Sequence, residues 1–342
     1  MRKAFLWLVF LTIISCKKED SLEVTNLVTN QTFTEDLRVQ GHEFDSLIIK
    51  DCVFNGATLN IGDADYVKVE NCLFKNIKNN GIKVGFIGPA NYIEISNCTF
   101  ENIGYNAIDS HEDAEFGVIH HCVFKKVALS DVGAAMGQPH HAIYWKGKDV
   151  HIYSNVFEGD GQNFGNGISV RSSGTIEMNR ITGYPKNGIM YYANHPGYDT
   201  LLIQNNYVWG NEYGITLASQ GNESWHNANV IVRFNSVVCE KNRVLYVGQE
   251  FEGNTNIEIY GNILINPNGE YFKSFYDFDT AHYFMNLESK ENIGFVDYNA
   301  GNLDLLPESI AQDYCVGLTK FPEVDIHGEP RESSTLNAGA DE

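Results

Sequence analysis

Ile49-Lys50-Asp51-Cys52-Val53-Phe54 is a phrase that this chain repeats. It returns at Val69 to Phe74, Ile95 to Phe100, Ile119 to Phe124 and Ile152 to Phe157. It continues at Ile176 to Ile181, Ile203 to Val208, Val232 to Val237 and Ile259 to Leu264. The fourth position reads Cys52, Cys72, Cys98 and Cys122, then Asn155, Asn179, Asn206, Asn235 and Asn262. Self-similarity at a fixed short period marks a repeat architecture in which each unit contacts only its neighbours. The expected fold is all-β: a single-domain right-handed parallel β-helix of about nine to ten coils, with strands of successive coils paired at ~4.8 Å. Asparagine at a tight turn hydrogen-bonds backbone groups and its counterpart in the next coil. A buried cysteine in the same column acts as a small hydrophobe. The column is therefore structural, and no metal or redox work is assigned to it.

The repeats, a strand followed by an Ile-x-x-Asn-x-aliphatic turn and a Gly-Ile-x-Val strand, resemble the pectate-lyase-like superfamily over roughly residues 42 to 298. The ending also resembles the closing segment of secreted bacterial β-helix proteins, where a final loop covers the open end of the core. It comprises Asn302-Leu303-Asp304-Leu305, Pro307-Glu308-Ser309, Asp325-Ile326-His327-Gly328-Glu329-Pro330-Arg331 and Asn337-Ala338-Gly339-Ala340-Asp341-Glu342. The resemblance implies architecture and says little of chemistry, because this scaffold hosts lyases, hydrolases, epimerases and non-catalytic adhesins. The organisation that follows is a leader over 1–15, a tether and N-terminal cap over 16–38, the β-helix over 39–298 and a C-terminal capping segment over 299–342.

The leader reads Met1-Arg2-Lys3, an apolar run of 11 residues from Ala4 to Ile14, then Ser15-Cys16. A basic start, a short apolar run and a small residue describe an export signal, too short to remain as a spanning helix. Ile13-Ile14-Ser15-Cys16 resembles a lipobox, which implies lipidation of Cys16. Lys17-Lys18-Glu19-Asp20 resembles the charged tether of surface-sorted lipoproteins of Bacteroidetes type. The alternative is an ordinary secretory signal with Cys16 incidental. The expected location is the outer membrane, facing the cell surface or the periplasm, and the expected state is a monomer.

With 24 basic and 44 acidic residues the chain carries a formal charge of −20. Such a surface repels nucleic acid, and no basic run compensates for it. Acidic polysaccharide is not excluded as a partner, because a local basic spot in a groove can hold a carboxylate or sulfate. The six cysteines after Cys16 would suggest disulfides in an exported protein, but four of them fall on the repeat column.

Three tetrads set the exposed face: Ile143-Tyr144-Trp145-Lys146, Ile168-Ser169-Val170-Arg171 and Ile189-Met190-Tyr191-Tyr192. Strand side chains alternate faces. With the isoleucines inward, Trp145, Val170 and Tyr191 are inward too. One outward row is then Asn60, Lys83, Asp109, Tyr144, Ser169, Met190, Thr216 and Tyr246. The second is Gly62, Gly85, His111, Lys146, Arg171, Tyr192, Ala218 and Gly248. Functional groups crowd the middle of both rows. The coil that passes from Cys122 to Ala142 takes 20 positions where Cys72 to Gly81 takes nine, so a long loop from Ser130 to His141 projects beside them. Further loops carry His195 and Trp225-His226.

Lys146 and Arg171 on adjacent coils are two close cations, whose repulsion favours the neutral amine and makes the lysine a better base. The pair is similar to that of chondroitinase B and the alginate lyases. The resemblance implies Lys146 as the base that removes the proton α to a uronic carboxylate, Arg171 as the holder of that carboxylate, and Tyr144 or Tyr192 as proton donor to the leaving oxygen. The surrounding calcium-binding motif of that group is not recognisable here. The same residues also fit a salt-bridge ladder with Asp109. Asp109, His111, Glu112 and Asp113 form an acidic and histidine cluster suited to a divalent cation such as calcium or to acid and base roles, which opens hydrolysis or epimerisation as an alternative. No cofactor is otherwise implied. Ser169, His141 and His195 are expected to line the substrate, with Tyr192 and Trp225 stacking on sugar rings. A non-catalytic glycan-binding or structural role is the third reading.

Overall fold

A computed structural model describes residues 26–41, 46–130, 139–161, 165–193, 200–219, 228–248, 251, 256–274 and 282–342. The leader expected over 1–15, Cys16, His195 and Trp225 lie outside the described residues, as do positions 131–138 of the long loop.

The chain winds as a right-handed parallel β-helix. Every third strand joins the same sheet, giving parallel sheets of 11, 11 and 10 strands. The coil count thus differs slightly from the nine to ten expected, because short, divergent strands at each end also pair. Pairing begins at Asn26–Thr29, which lies in register with Leu47–Lys50, so the solenoid starts before the boundary at residue 39. The polar Thr/Asn composition of these first strands hides the repeat in the sequence.

The repeated phrase is a strand of the first sheet, a one-residue corner and a strand of the second sheet. Asp51, Asn71, Asn97, His121, Ser154, Met178, Asn205 and Phe234 make that corner in the left-handed region, with φ between 52° and 56°. The next residue turns inward as the ladder. Asn155, Asn179, Asn206, Asn235 and Asn262 each donate an Nδ2 proton to the Oδ1 of the following asparagine at 2.9–3.0 Å, ending on Asn286. Each Nδ2 also donates to a carbonyl one coil below, as from Asn179 to Ile152. Cys52, Cys72, Cys98 and Cys122 are buried and free, filling the same column without bridging. Below them Phe33, Phe54, Phe74, Phe100, Phe124 and Phe157 stack with centroids 4.5–4.9 Å apart. Burial is worth roughly 1.5–3 kcal/mol per ring, and stacking adds to it.

The third sheet holds Ile82–Val84, Ile108–Ser110, Ile143–Trp145, Ile168–Val170 and Asn187–Ala193 side by side. Trp145 and Tyr191 fill the core of these coils. Room for the indole comes from Gly117, where a Cβ would stand 2.3 Å from Trp145 Cζ2.

The C-terminal segment wraps along the flank of the second sheet. Strands Phe295–Asp297 and Asn302–Leu305 form a hairpin. With residues up to Ala340 they build a second apolar cluster on the outward side chains Tyr207, Ile263 and Ile265 of the second sheet. Buried Arg331 ties the segment down. Its Nη2 donates to Asn205 Oδ1 at 3.4 Å and its guanidinium lies 5.0 Å from the Phe234 ring, while Nη1 donates to Glu342 Oε2 at 2.8 Å within the segment. The outward positions of the second sheet turn largely apolar from Tyr207 onward, with Ser236 between Tyr207 and Ile263, and an apolar outer face needs a cover.

Candidate functional site

The strand register pairs Lys83 with Asp109, Asp109 with Tyr144, Tyr144 with Ser169 and Ser169 with Met190. The first outward row is therefore continuous across the third sheet. The second follows from the same phase, because Trp145, Val170 and Tyr191 are buried inward while Lys146, Arg171 and Tyr192 emerge half-buried. Ser110 fixes the exit of Lys146: its buried Oγ accepts the Lys146 backbone N–H at 2.7 Å. The rows are more sheltered than an open face. Asp109 is 8% and Ser169 only 1% exposed, and Asp109 Oδ1 and Ser169 Oγ are buried without a hydrogen-bond partner among the described residues.

Cations and aromatic rings alternate up the face. Lys83 Nζ stands 4.2 Å from the Phe86 centroid. Lys146 Nζ stands 4.7 Å from Phe86 and 4.9 Å from Tyr144. The Arg171 guanidinium lies 5.0 Å from Tyr144 and 4.3 Å from Tyr192. Each such contact stabilises the cation by roughly 0.5–2 kcal/mol. Phe86 and Lys83 thus join the residues expected from the sequence. Lys83 lies in the outward row and was legible, but Phe86 follows Gly85 at φ +80°, where alternation along a strand no longer tells which way a side chain points.

Lys146 pairs with Asp109, Nζ to Oδ1 at 3.6 Å. Asn80 Nδ2 donates to the other carboxylate oxygen at 3.1 Å. Lys146 is thus compensated by a carboxylate, as in the salt-bridge ladder with Asp109 that the sequence also allows. Burial pushes the Asp109 carboxyl above the usual range, with Lys146, Asn106 and Lys83 opposing. Burial likewise raises the Tyr144 phenol, opposed by Arg171.

His141 and His111 stand differently from their expected roles. His141 occupies a slot in a second polar ladder at the entrance to the third sheet. Asn80 Oδ1 accepts the Asn106 N–H, Asn106 Oδ1 accepts the His141 N–H, His141 Nδ1 accepts the Asn166 N–H at 3.3 Å and Asn166 Oδ1 accepts the Asn187 N–H. An accepting Nδ1 places the ring proton on Nε2. Burial, then Arg171 and His140, lowers the imidazole to about 3. His141 is therefore a neutral wall of the site, edge-on to Tyr144 at 5.0 Å. His111 turns to Asp113, Nδ1 to Oδ2 at 3.1 Å, and meets Phe86 edge-on at 5.5 Å. It borders the face at the cation end, and Glu112 and Asp113 beside it are exposed.

No protein-family profile and no curated protein matches this chain. Among solved structures it is similar to XylC in complex with xylose, with a TM-score of 0.52 at 12% identity over 88% of this chain. The chain spans 65% of that protein's length. Another match is the PL6 family alginate lyase AlyGC, with a TM-score of 0.36, 12% identity and 56% of that chain covered. At these identities the likeness is one of fold, and the XylC match carries it.

A second charged cluster sits on the flank. Asp304 Oδ1 accepts from Tyr207 Oη at 2.9 Å and His327 Nε2 at 2.8 Å, with Arg180 at 3.6 Å. Asp341 Oδ1 lies 3.5 Å from the same imidazole nitrogen. His327 and the two carboxylates converge as metal ligands do, but the protons of Tyr207, His327 and Arg180 already satisfy them. The cluster fastens the C-terminal segment to the coils.

Proposed function

We propose that this protein is an exported lipoprotein that binds an acidic polysaccharide along the third sheet and cleaves it by β-elimination. The observation that carries the reading is the gathering of Lys83, Lys146 and Arg171, backed by Phe86, Tyr144 and Tyr192, on one sheltered face of a chain of net charge −20. A polyanion approaching so acidic a protein is repelled except where cations stand together. In this reading Lys146 removes the proton α to a uronic carboxylate, which the neighbouring cations stabilise as charge develops. Its ion pair with Asp109 must open when substrate enters. A fold-mate solved with a sugar, XylC, accords with a saccharide ligand. The anchor is Cys16, supported by the Ile13-Ile14-Ser15-Cys16 sequence, and Cys16→Ser is expected to abolish incorporation of labelled palmitate.

The test is incubation with alginate, glycosaminoglycan and pectin panels, read as ultraviolet absorbance of an unsaturated product. Loss of that signal in Lys146→Ala supports elimination, and silence across the panel in the wild type rejects it. One observation favours a second reading: the carboxyl of Asp109 is held above its usual range beside the same face, as a general acid of a hydrolase needs. New reducing ends without absorbance would select it. Glycan binding without turnover, unchanged by loss of Lys146 and Arg171, would select a binding role.

A further inference from the structure

We propose that Tyr144 delivers the proton to the departing glycosidic oxygen and that Arg171 is a positioning residue acting on the Tyr144 hydroxyl, not the clamp for the substrate carboxylate. This rests on the elimination reading. Arg171 is two residues beyond Ser169, the strand partner of Tyr144, so its side chain folds back across the phenol. Arg171 Nη2 donates to the Tyr144 hydroxyl oxygen at 2.7 Å, and Nη1 donates to the Tyr192 carbonyl at 3.4 Å. The guanidinium carbon lies 5.0 Å from the Tyr144 ring centroid and 4.3 Å from the Tyr192 centroid. Holding a carboxylate two-pronged needs an open fork of parallel N–H groups. Here both terminal nitrogens donate to the protein, Nε is buried, and two aromatic rings lie within 5.0 Å of the guanidinium carbon.

The same contact prepares the phenol. A hydroxyl oxygen that accepts a proton from Arg171 keeps its own proton to offer elsewhere. His141, edge-on to the ring, and the strand neighbours Asp109 and Ser169 limit where the ring can swing. Tyr192 is engaged differently: Arg171 meets its ring and its carbonyl.

The step balances as follows. The base takes the proton α to the carboxylate, and the electrons of that C–H bond form the ring double bond. The bond from the β-carbon to the glycosidic oxygen breaks, and that oxygen takes the Tyr144 proton. The phenolate left behind lies beside the Arg171 cation, which stabilises it until the proton is returned through solvent. No oxidant, metal or water is consumed.

The first arm of the test needs no substrate. Protein carrying 13Cζ-tyrosine is titrated by NMR, with Tyr144→Phe assigning the resonance. Arg171→Met is expected to raise the Tyr144 titration by about one pH unit or more, and Arg171→Lys by less. Equal Tyr144 titrations in wild type, Arg171→Met and Arg171→Lys overturn the positioning role, and should Arg171→Met not fold, Arg171→Lys gives the same comparison. The second arm compares a natural polymer with a uronate whose leaving group is an aryl ether, which departs without a proton. Tyr144→Phe is expected to lose on the order of 100-fold or more in kcat on the polymer and less than about 10-fold on the aryl substrate, whereas Lys146→Ala loses both. Equal losses in Tyr144→Phe refute the acid role. A wild type inactive on both substrates removes elimination and the acid role together, while the NMR arm still decides the Tyr144–Arg171 contact.

Discussion

Replacing His141 by asparagine should leave the polar ladder intact and make the protein more resistant to acid. His141 is buried, its Nδ1 accepts the Asn166 N–H, and its imidazole titrates near 3 against 6.5 for an ordinary histidine. A pKa lowered in the folded state means that the unfolded chain binds a proton first. Stability is then fully present above about pH 6.5 and is lost as pH falls towards 3, by about 1.4 kcal/mol per pH unit. Between pH 7.5 and 4.5 this one residue removes about 2.7 kcal/mol. In His141→Asn an amide oxygen replaces Nδ1 as acceptor, as Asn106 and Asn166 already do on either side. The change at pH 7.5 is expected to stay below about 1 kcal/mol. The assay is denaturant unfolding at pH 7.5, 5.5 and 4.5, followed by tryptophan fluorescence with Trp145 in the same coil, and by hydrogen exchange at the Asn166 amide. The variant's advantage should grow as pH falls. Parallel pH profiles for the two proteins would show that His141 is not held neutral by burial.

Asn179→Ala should cost about 3–5 kcal/mol, because it removes the acceptor of the Asn155 backbone and side-chain N–H groups and the donor to the Ile152 carbonyl in the core; a loss below 1 kcal/mol by chemical denaturation contradicts the ladder's structural role. Gly147→Ala should displace the backbone carrying Lys146, since a Cβ there would overlap the Ala114 carbonyl; a crystal structure of the variant superposing on the wild type at Lys146 would disprove this. Asp304 is held below the usual carboxylate range; burial opposes this, and the hydrogen bonds from Tyr207 and His327 overcome it. Its contribution is present above the unfolded carboxylate value and is lost as pH falls through the folded one, so acid should release the C-terminal segment first, read as early proteolysis after residue 290. Lys83→Ala and Phe86→Ala should weaken binding of oligosaccharides long enough to reach the coil of Ile82–Val84 and leave shorter ones unaffected, measured by calorimetry.

The phrase from Ile49 to Phe54 sufficed for the architecture, because every coil must satisfy the same local demands. A left-handed corner, an inward amide or thiol and an aliphatic pair recur wherever a strand stacks on its copy, so one phase assignment carried Lys83, Asp109, Tyr144 and Ser169 into the register observed. What it could not supply was how far each outward side chain is covered and which partner it chooses. Asp109 takes Lys146 and Asn80, His141 becomes a ladder member, Phe86 enters from a turn, and Arg171 bends back to a phenol oxygen. The apolar outer flank from Tyr207 onward likewise found its cover in the C-terminal segment. Backbone periodicity is a local property, repeated at each turn of the chain and therefore readable along it. Shelter, charge pairing and proton position depend on side chains brought together from different coils, and only the wound structure sets those distances.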